Sequence, residues 1–150
     1  IMGFVQNKPY PFMLDSISDT FKDFKNIPVY CGGPVEPDRL FFLHALGNTI
    51  PDSQYIGNGI SIGGDIVSLL AYLSAGNKIE GYVKFFLGYS GWSVNQLLRE
   101  IKEESWGVTD LYGDRILYSK ENEKMWRNYT LRLGDGYSAW LRVPPMPEFN

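Results

Sequence analysis

One histidine, His44, and one cysteine, Cys31, are the only residues of their kinds in the 150-residue chain, and this bounds the nucleophilic and metal chemistry available. A lone cysteine makes no intrachain disulfide, and there is no C-x-x-C or Cys/His cluster with zinc or thioredoxin-type spacing. Cys31 precedes Gly32 and Gly33 without a cationic neighbour in sequence to lower its thiol pKa, so it reads as a small, inert core residue rather than a nucleophile. His44 stands in the apolar run "FFLHAL". Alone it cannot build a metal site, and a buried or half-buried structural histidine is the expectation.

The segment "GYSGW", Gly88 to Trp92, superficially matches the nucleophile elbow of hydrolases, but its last position is Trp92 where that turn needs glycine. A catalytic Ser90 would also need a histidine base oriented by a carboxylate. The phosphate-binding patterns G-x-G-x-x-G and G-x-x-x-x-G-K-[ST] are absent around Gly88 and Gly91. Ser93 followed by Gln96 is a capping box. Gly88 and Gly91 are therefore read as allowing a tight passage, Trp92 as anchoring it in the core, and Ser93 as starting a helix.

A second glycine-rich stretch, "GGPVEPDR" at 32–39, reads as a binding loop stiffened by Pro34 and Pro37, with glycine amides that could hold an anion; a rigid turn with Arg39 in an ion pair is the simpler alternative. The candidate binding residues are thus Gly32, Gly33, Pro34 and Arg39 in one segment, Gly88, Tyr89, Gly91 and Trp92 in the other, and His44. Carboxylates are numerous, as in Asp15 with Asp19 or Glu103 with Glu104, yet no spacing marks an acid/base pair.

Hydrophobic periodicity supplies the elements around these residues. "MGFV" is a short strand closed by Asn7, Pro9 and Pro11. Ile17, Phe21, Phe24 and Ile27 recur at helical spacing and predict an amphipathic helix with its start signal at Ser16. "PVYC" and "RLFFLHAL" predict strands, the second buried. A further strand around Tyr55 and Ile56 leads into a hairpin through Gly57, Asn58 and Gly59. Ile66, Leu69, Leu70 and Leu73 predict a helix stopped at Gly76, "EGYVKFFLGYSGW" a strand, and Val94, Leu97, Leu98 and Ile101 another helix. "WGVTDLYG" is a plausible strand, 119–134 a last helix with Met125, Trp126 and Tyr129 inward, and "RVPPMPEFN" an extended tail. The alternation is mixed, which places the chain in the α+β class as one domain.

Fourteen Lys and Arg against 17 Asp and Glu give a formal charge of −3, and the cations are interleaved with acids in "REIKEE" and "KENEKMWR". Nucleic-acid binding is disfavoured on that ground. No apolar run reaches the roughly 18–20 residues of a membrane span, and the start lacks the regions of a signal peptide. With a single cysteine, a cytoplasmic protein is expected, needing no cofactor and contacting no membrane.

Three blocks together carry a resemblance: "NKP" at 7–9, "VYCGGPVEPDRLFFLH" at 29–44, and "LGYSGWSVNQLLREIKEESW" at 87–106. In order and spacing they resemble the YqgE/AlgH family of bacterial proteins, which are often labelled transcriptional regulators. The likeness covers roughly residues 1 to 110. It implies a single α+β domain with a mixed, bifurcated sheet folded into a pseudo-barrel and helices packed outside. It also implies a strand-rich segment before the Asn-Lys-Pro turn, so the chain looks truncated at its N-terminus. The family pattern commonly has alanine at the place of Ser90 and brings no catalytic mechanism. The chain shows no helix-turn-helix and no basic recognition helix, so an effect on transcription would be indirect. The expected function is a non-enzymatic regulatory domain that binds a protein or small ligand through its two glycine-rich segments. The alternatives are a hydrolase or transferase using a pocket carboxylate, His44 or Cys31, and direct DNA binding.

Overall fold

The computed structural model describes residues 1–110 and 115–142. Its framework is a mixed sheet of seven strands: β1 (Met2–Gly3), β2 (Pro9–Met13), β3 (Pro28–Cys31), β4 (Val35–His44), β5 (Gln54–Gly57), β6 (Ile60–Ile62) and β7 (Val83–Gly91). The order is β2-β3-β7-β4-β6-β5, and β1 also pairs with β7. β3 runs parallel to β7, whereas β4 and β1 run antiparallel to it. One edge of β7 therefore carries β3 at Phe85 to Leu87 and β1 at Ser90 and Gly91. This is a fork, in line with the bifurcated sheet that the resemblance implies.

β7 is buried on both faces, which explains its nearly continuous apolar sequence. With a side-chain period of two, Val83, Phe85 and Leu87 face one core, and Phe86 faces the other. Register aligns Val29, Phe85 and Phe42 in one row across three strands, and Tyr30, Phe86 and Phe41 in the next. The first core is closed by helix α1 (Ile66–Ser74), through Leu69 and Leu73, together with Leu14, Phe21, Ile27 and Ile50. The second is closed by Ile60, Ile116 and Leu117, with Phe4 and Tyr129 packed against them. Asp65 caps α1, accepting from the Ser68 amide at 2.9 Å. Helix α2 (Val94–Lys102) follows β7 directly, and α3 (Asn122–Arg132) lies near the C-terminal end.

Several expectations change. The amphipathic helix predicted from Ser16 onward is instead two short 3₁₀ turns, Leu14–Ser16 and Asp19–Phe21. β2 and β3, which flank this segment, are paired with each other, and the Leu14 amide donates to the Ile27 carbonyl at 2.9 Å. The segment must leave and return to almost the same place, which a straight helix of roughly 18 Å would prevent. Phe21 and Ile27 are still buried, so the periodicity reported the buried face correctly but not the backbone. Ser16 donates to the Met13 carbonyl and caps nothing. Pro9 and Pro11, read as strand terminators, lie within β2, at the end of the sheet order where missing amides are tolerated. Residues 106–110 form no strand; the rest of that expected strand, and all of the expected tail past Arg142, lie outside the described residues. Trp126 is exposed and stacks on Trp140, while Met125 is buried as predicted.

Lys84 departs most from an apolar strand, being 3% exposed on the same face as Phe86. Its ammonium donates to the carbonyls of Gln6 at 2.7 Å and Ile116 at 2.9 Å and lies 4.3 Å from the centre of the Tyr30 ring. Burial pulls its pKa down to about 7, against the opposing pull of the Glu80 carboxylate. Between pH 7 and the ordinary lysine value near 10.5, the unfolded chain holds a proton that the folded chain has released, so stability rises with pH across that window. Urea unfolding at pH 7 and pH 9.5 is expected to show wild-type protein gaining up to about 3 kcal/mol more than Lys84→Met; equal gains in the two proteins would refute this.

Candidate functional site

The two glycine-rich segments meet in space. A β-carbon on Gly32 would collide with the Gly88 carbonyl, one on Gly33 with the backbone of Tyr89 and Ser90, and one on Gly88 with the Gly33 carbonyl. Gly88 also has a φ of +71°, which disfavours any side chain there. The glycines are spent on backbone-to-backbone contact at the fork of β7: the Gly32 amide donates to the Leu87 carbonyl at 2.9 Å, and the Gly32 carbonyl accepts from the Val5 amide and the Ser90 hydroxyl. Ser90 is thereby bound to the crossing and has no histidine partner.

Most of "GGPVEPDR" is strand. Only Gly32 to Pro34 connect β3 and β4, and β4 starts at Val35. Val35 pairs with Tyr89 and Leu40 with Leu87. From 35 to 40 is five steps where 89 to 87 is two, so three extra residues arch off the sheet above Gly88 as a bulge. Residues Glu36 to Arg39 are all exposed, and Glu36 has a φ of +48°, an unfavourable conformation for a non-glycine residue. Arg39 pairs with Glu36 at 3.3 Å and lies 5.0 Å from the centre of the Phe41 ring, which meets Tyr89 edge-on. The exposed ion pair adds little stability, but it fixes the outline of the arch. Behind it, the Tyr10 hydroxyl has its pKa pushed up to about 12, first by its hydrogen bond with the Cys31 side chain, then by burial and by the electrostatic influence of Cys31 and Asp38 beside it. It therefore stays protonated, as a hydrogen-bonding group rather than a base.

Beyond Gly91 the chain turns into α2, where five motif residues, Trp92, Ser93, Gln96, Glu100 and Trp106, form a corner. The Ser93 hydroxyl accepts from the Gln96 amide at 3.1 Å, as the capping box requires. The Gln96 carboxamide reaches forward to Glu100 at 2.9 Å instead of back to the cap. Glu100 also accepts from the Trp106 indole at 2.8 Å, and these two bonds, Trp106 first, hold its carboxyl below the usual range. Trp92 meets Trp106 edge to face at 5.6 Å. Trp92 is half-buried against Trp106 and Gly3, a surface corner rather than the core anchor expected of it.

His44 belongs to neither group. It is fully buried at the far end of β4, paired with Val83 and Ser61. Its Nδ1 accepts from the Leu46 amide at 3.2 Å, so Nε2 carries the proton and donates to the Gly63 carbonyl at 3.0 Å. Burial lowers its pKa, and both nitrogens are occupied by backbone, which fits the structural role expected. Among the described residues no group of three His, Cys, Asp or Glu is placed to hold a metal ion, and no helix is long and apolar enough to cross a membrane. Sequence reasoning passed over Lys84 and Gln6, which make sense only through contacts distant in sequence. Glu100 and Trp106 were visible in the third motif block, and the i,i+4 spacing of Gln96 and Glu100 was the available clue.

With this geometry in hand, comparison with known proteins is decisive. A model of the family described as AlgH-like matches residues 1–138. The chain belongs to the AlgH-like family. A UPF0301 protein of Parabacteroides distasonis is 45% identical over 99% of this chain and 75% of its own length. A second, from Bacteroides fragilis, is 40% identical with the same coverage. The solution structure of the AlgH protein from Pseudomonas aeruginosa superposes with a TM-score of 0.67 at 25% identity, covering 97% of this chain and 78% of that one. A Corynebacterium diphtheriae protein reaches the same TM-score at 14% identity and supports the fold alone. The family read from the three motif blocks is the family found, and the mixed α+β sheet is the AlgH-like fold.

The crossing predicts unequal glycines. Gly88→Ala must adopt a positive φ and displace backbone, at an expected cost above about 2 kcal/mol. Gly91→Ala meets nothing closer than 3.5 Å and should stay within about 0.5 kcal/mol of wild type. Chemical denaturation of both variants checks this, and equal losses would remove the crossing's special status.

Proposed function

We propose that this AlgH-like protein is a non-catalytic binding domain that acts by engaging a protein partner through the arch of β4, from Val35 to Arg39. The observation that carries the reading is the arch itself: three extra residues with a left-handed Glu36 and two prolines flanking the turn, held clear of the sheet by the glycine crossing. Bulges of this kind re-aim side chains outward and recur beside functional sites, and local strain maintained by the surrounding structure is found at binding surfaces. The arch presents Glu36, Asp38 and Arg39 on a stiff backbone, so little ordering entropy opposes docking. A regulatory role would follow from the partner engaged, with any effect on transcription indirect, and the expected compartment is the cytoplasm.

The test is affinity capture from lysate of an organism carrying this chain, comparing wild-type bait with Arg39→Glu and Asp38→Lys baits shown to be folded by circular dichroism. Specific partners should fall at least about tenfold in both variants, the size of effect charge reversal has in a small interface. Recovery of the same proteins at the same levels would sink the arch as the binding surface.

A further inference from the structure

The arch has an aromatic neighbour, the outer strand β2. Tyr10 and Phe12 project from one face of that strand at its period of two, and their rings stack at 4.7 Å with planes 16° apart. Tyr10 and Leu40, the residue at the foot of the arch, both pack against the first core, so arch and stack stand on the same face of the sheet. The Tyr10 hydroxyl bonds to the Cys31 side chain and has Asp38 beside it. Phe12 is 37% exposed, and Pro9, Pro11 and Met13 are exposed with it. Two prolines in a strand of five residues remove amides that an added strand would need. A partner reaching this edge is therefore held by side chains and not by extension of the sheet.

The charges of the arch are unequally satisfied. Arg39 is held by Glu36 at 3.3 Å and lies over the Phe41 ring. Asp38 is exposed, and among the described residues no cation pairs with it. An acid without a counter-ion beside an exposed aromatic stack is complementary to a cation with an apolar neighbour. We infer that the partner of the arch presents an arginine next to an apolar residue, the guanidinium pairing with Asp38 and the apolar side chain covering Phe12. Arginine suits the place better than lysine, because its planar guanidinium is weakly hydrated, grips a carboxylate with two hydrogen bonds and lies flat on aromatic surface. A nucleic acid would bring phosphates against Glu36 and Asp38 and is disfavoured here. The inference rests on the reading of the arch as the docking surface and adds the chemistry of what docks.

The test selects peptides from a phage-displayed random library on the 150-residue protein. The recovered peptides should be enriched in arginine beside an apolar residue. A synthetic copy of the most frequent one should bind about tenfold less tightly when citrulline replaces its arginine, the loss expected of one charged hydrogen-bonded pair. On Asp38→Asn the same exchange should cost nothing further, because both changes remove one contact. Phe12→Ala should weaken the arginine peptide about three- to tenfold through lost apolar cover and leave the citrulline penalty in place. The inference is overturned if the library yields no binding peptide, if citrulline costs as much on Asp38→Asn as on wild type, or if Phe12→Ala binds as wild type does. Peptides without arginine that are lost on both Asp38→Lys and Arg39→Glu would overturn it while leaving the arch as the docking surface. Peptides indifferent to both charge reversals would overturn the docking surface as well.

Discussion

From Val83 to Gly88, β7 is buried on both faces and has no solvent side, and the sheet with its two cores is arranged around what that stretch requires. Its two faces need two separate apolar covers, which is why both α1 with the 14–27 segment and the 116–117 segment pack against one sheet. Fully burying a side chain such as Phe85 or Phe86 contributes about 1.5–3 kcal/mol. Removing one ammonium from water costs several kcal/mol even after local relaxation. The aromatic rows on β3, β7 and β4 are thus the scale against which the burial of Lys84 must be set. Backbone carbonyls from two distant segments, Gln6 and Ile116, reduce that cost and in doing so tie the first turn of the chain to its C-terminal part.

The second demand of β7 is geometric. Two strands, β3 and β1, use the same edge, so the chain must leave β3 at Gly32 before β1 takes over at Ser90. At that point the connection crosses within backbone contact of β7, and only residues without a β-carbon fit on either side. Gly32, Gly33 and Gly88 follow from this steric condition. The same crossing leaves β4 out of step with β7, and the three surplus residues have nowhere to go but outward. The arch is therefore a consequence of the fork rather than an appended loop.

What was legible in the sequence divides along the same line. Strands β3, β4 and β7, the β5–β6 hairpin and helices α1 and α2 were readable because their periodicity and caps are local. The 14–27 segment misled because its apolar spacing satisfies a helical pattern, while its conformation is dictated by the pairing of β2 with β3, a non-local fact. "GGPVEPDR" was singled out correctly as unusual but read as a loop, since nothing local reveals that a strand begins at Val35 and bulges against a glycine 53 positions later in the chain. Lys84 and Gln6 escaped for the same reason: a lysine in an apolar strand and a glutamine near a turn acquire meaning only when their partners are known.

The motif residues that identify the family divide into two physical tasks. Gly32, Gly33 and Gly88 make the crossing possible, whereas Trp92, Gln96, Glu100 and Trp106 lock the start of α2 to the stretch that follows it. Both sets shape surfaces more than they supply reactive groups: every described contact of Ser90, His44 and the three glycines is to backbone or packing neighbours. A chain whose most distinctive residues are used to set backbone paths invests its specificity in the shapes those paths expose. Here the clearest such shape is the arch of β4, whose residues Glu36 to Arg39 are all exposed above the glycine crossing.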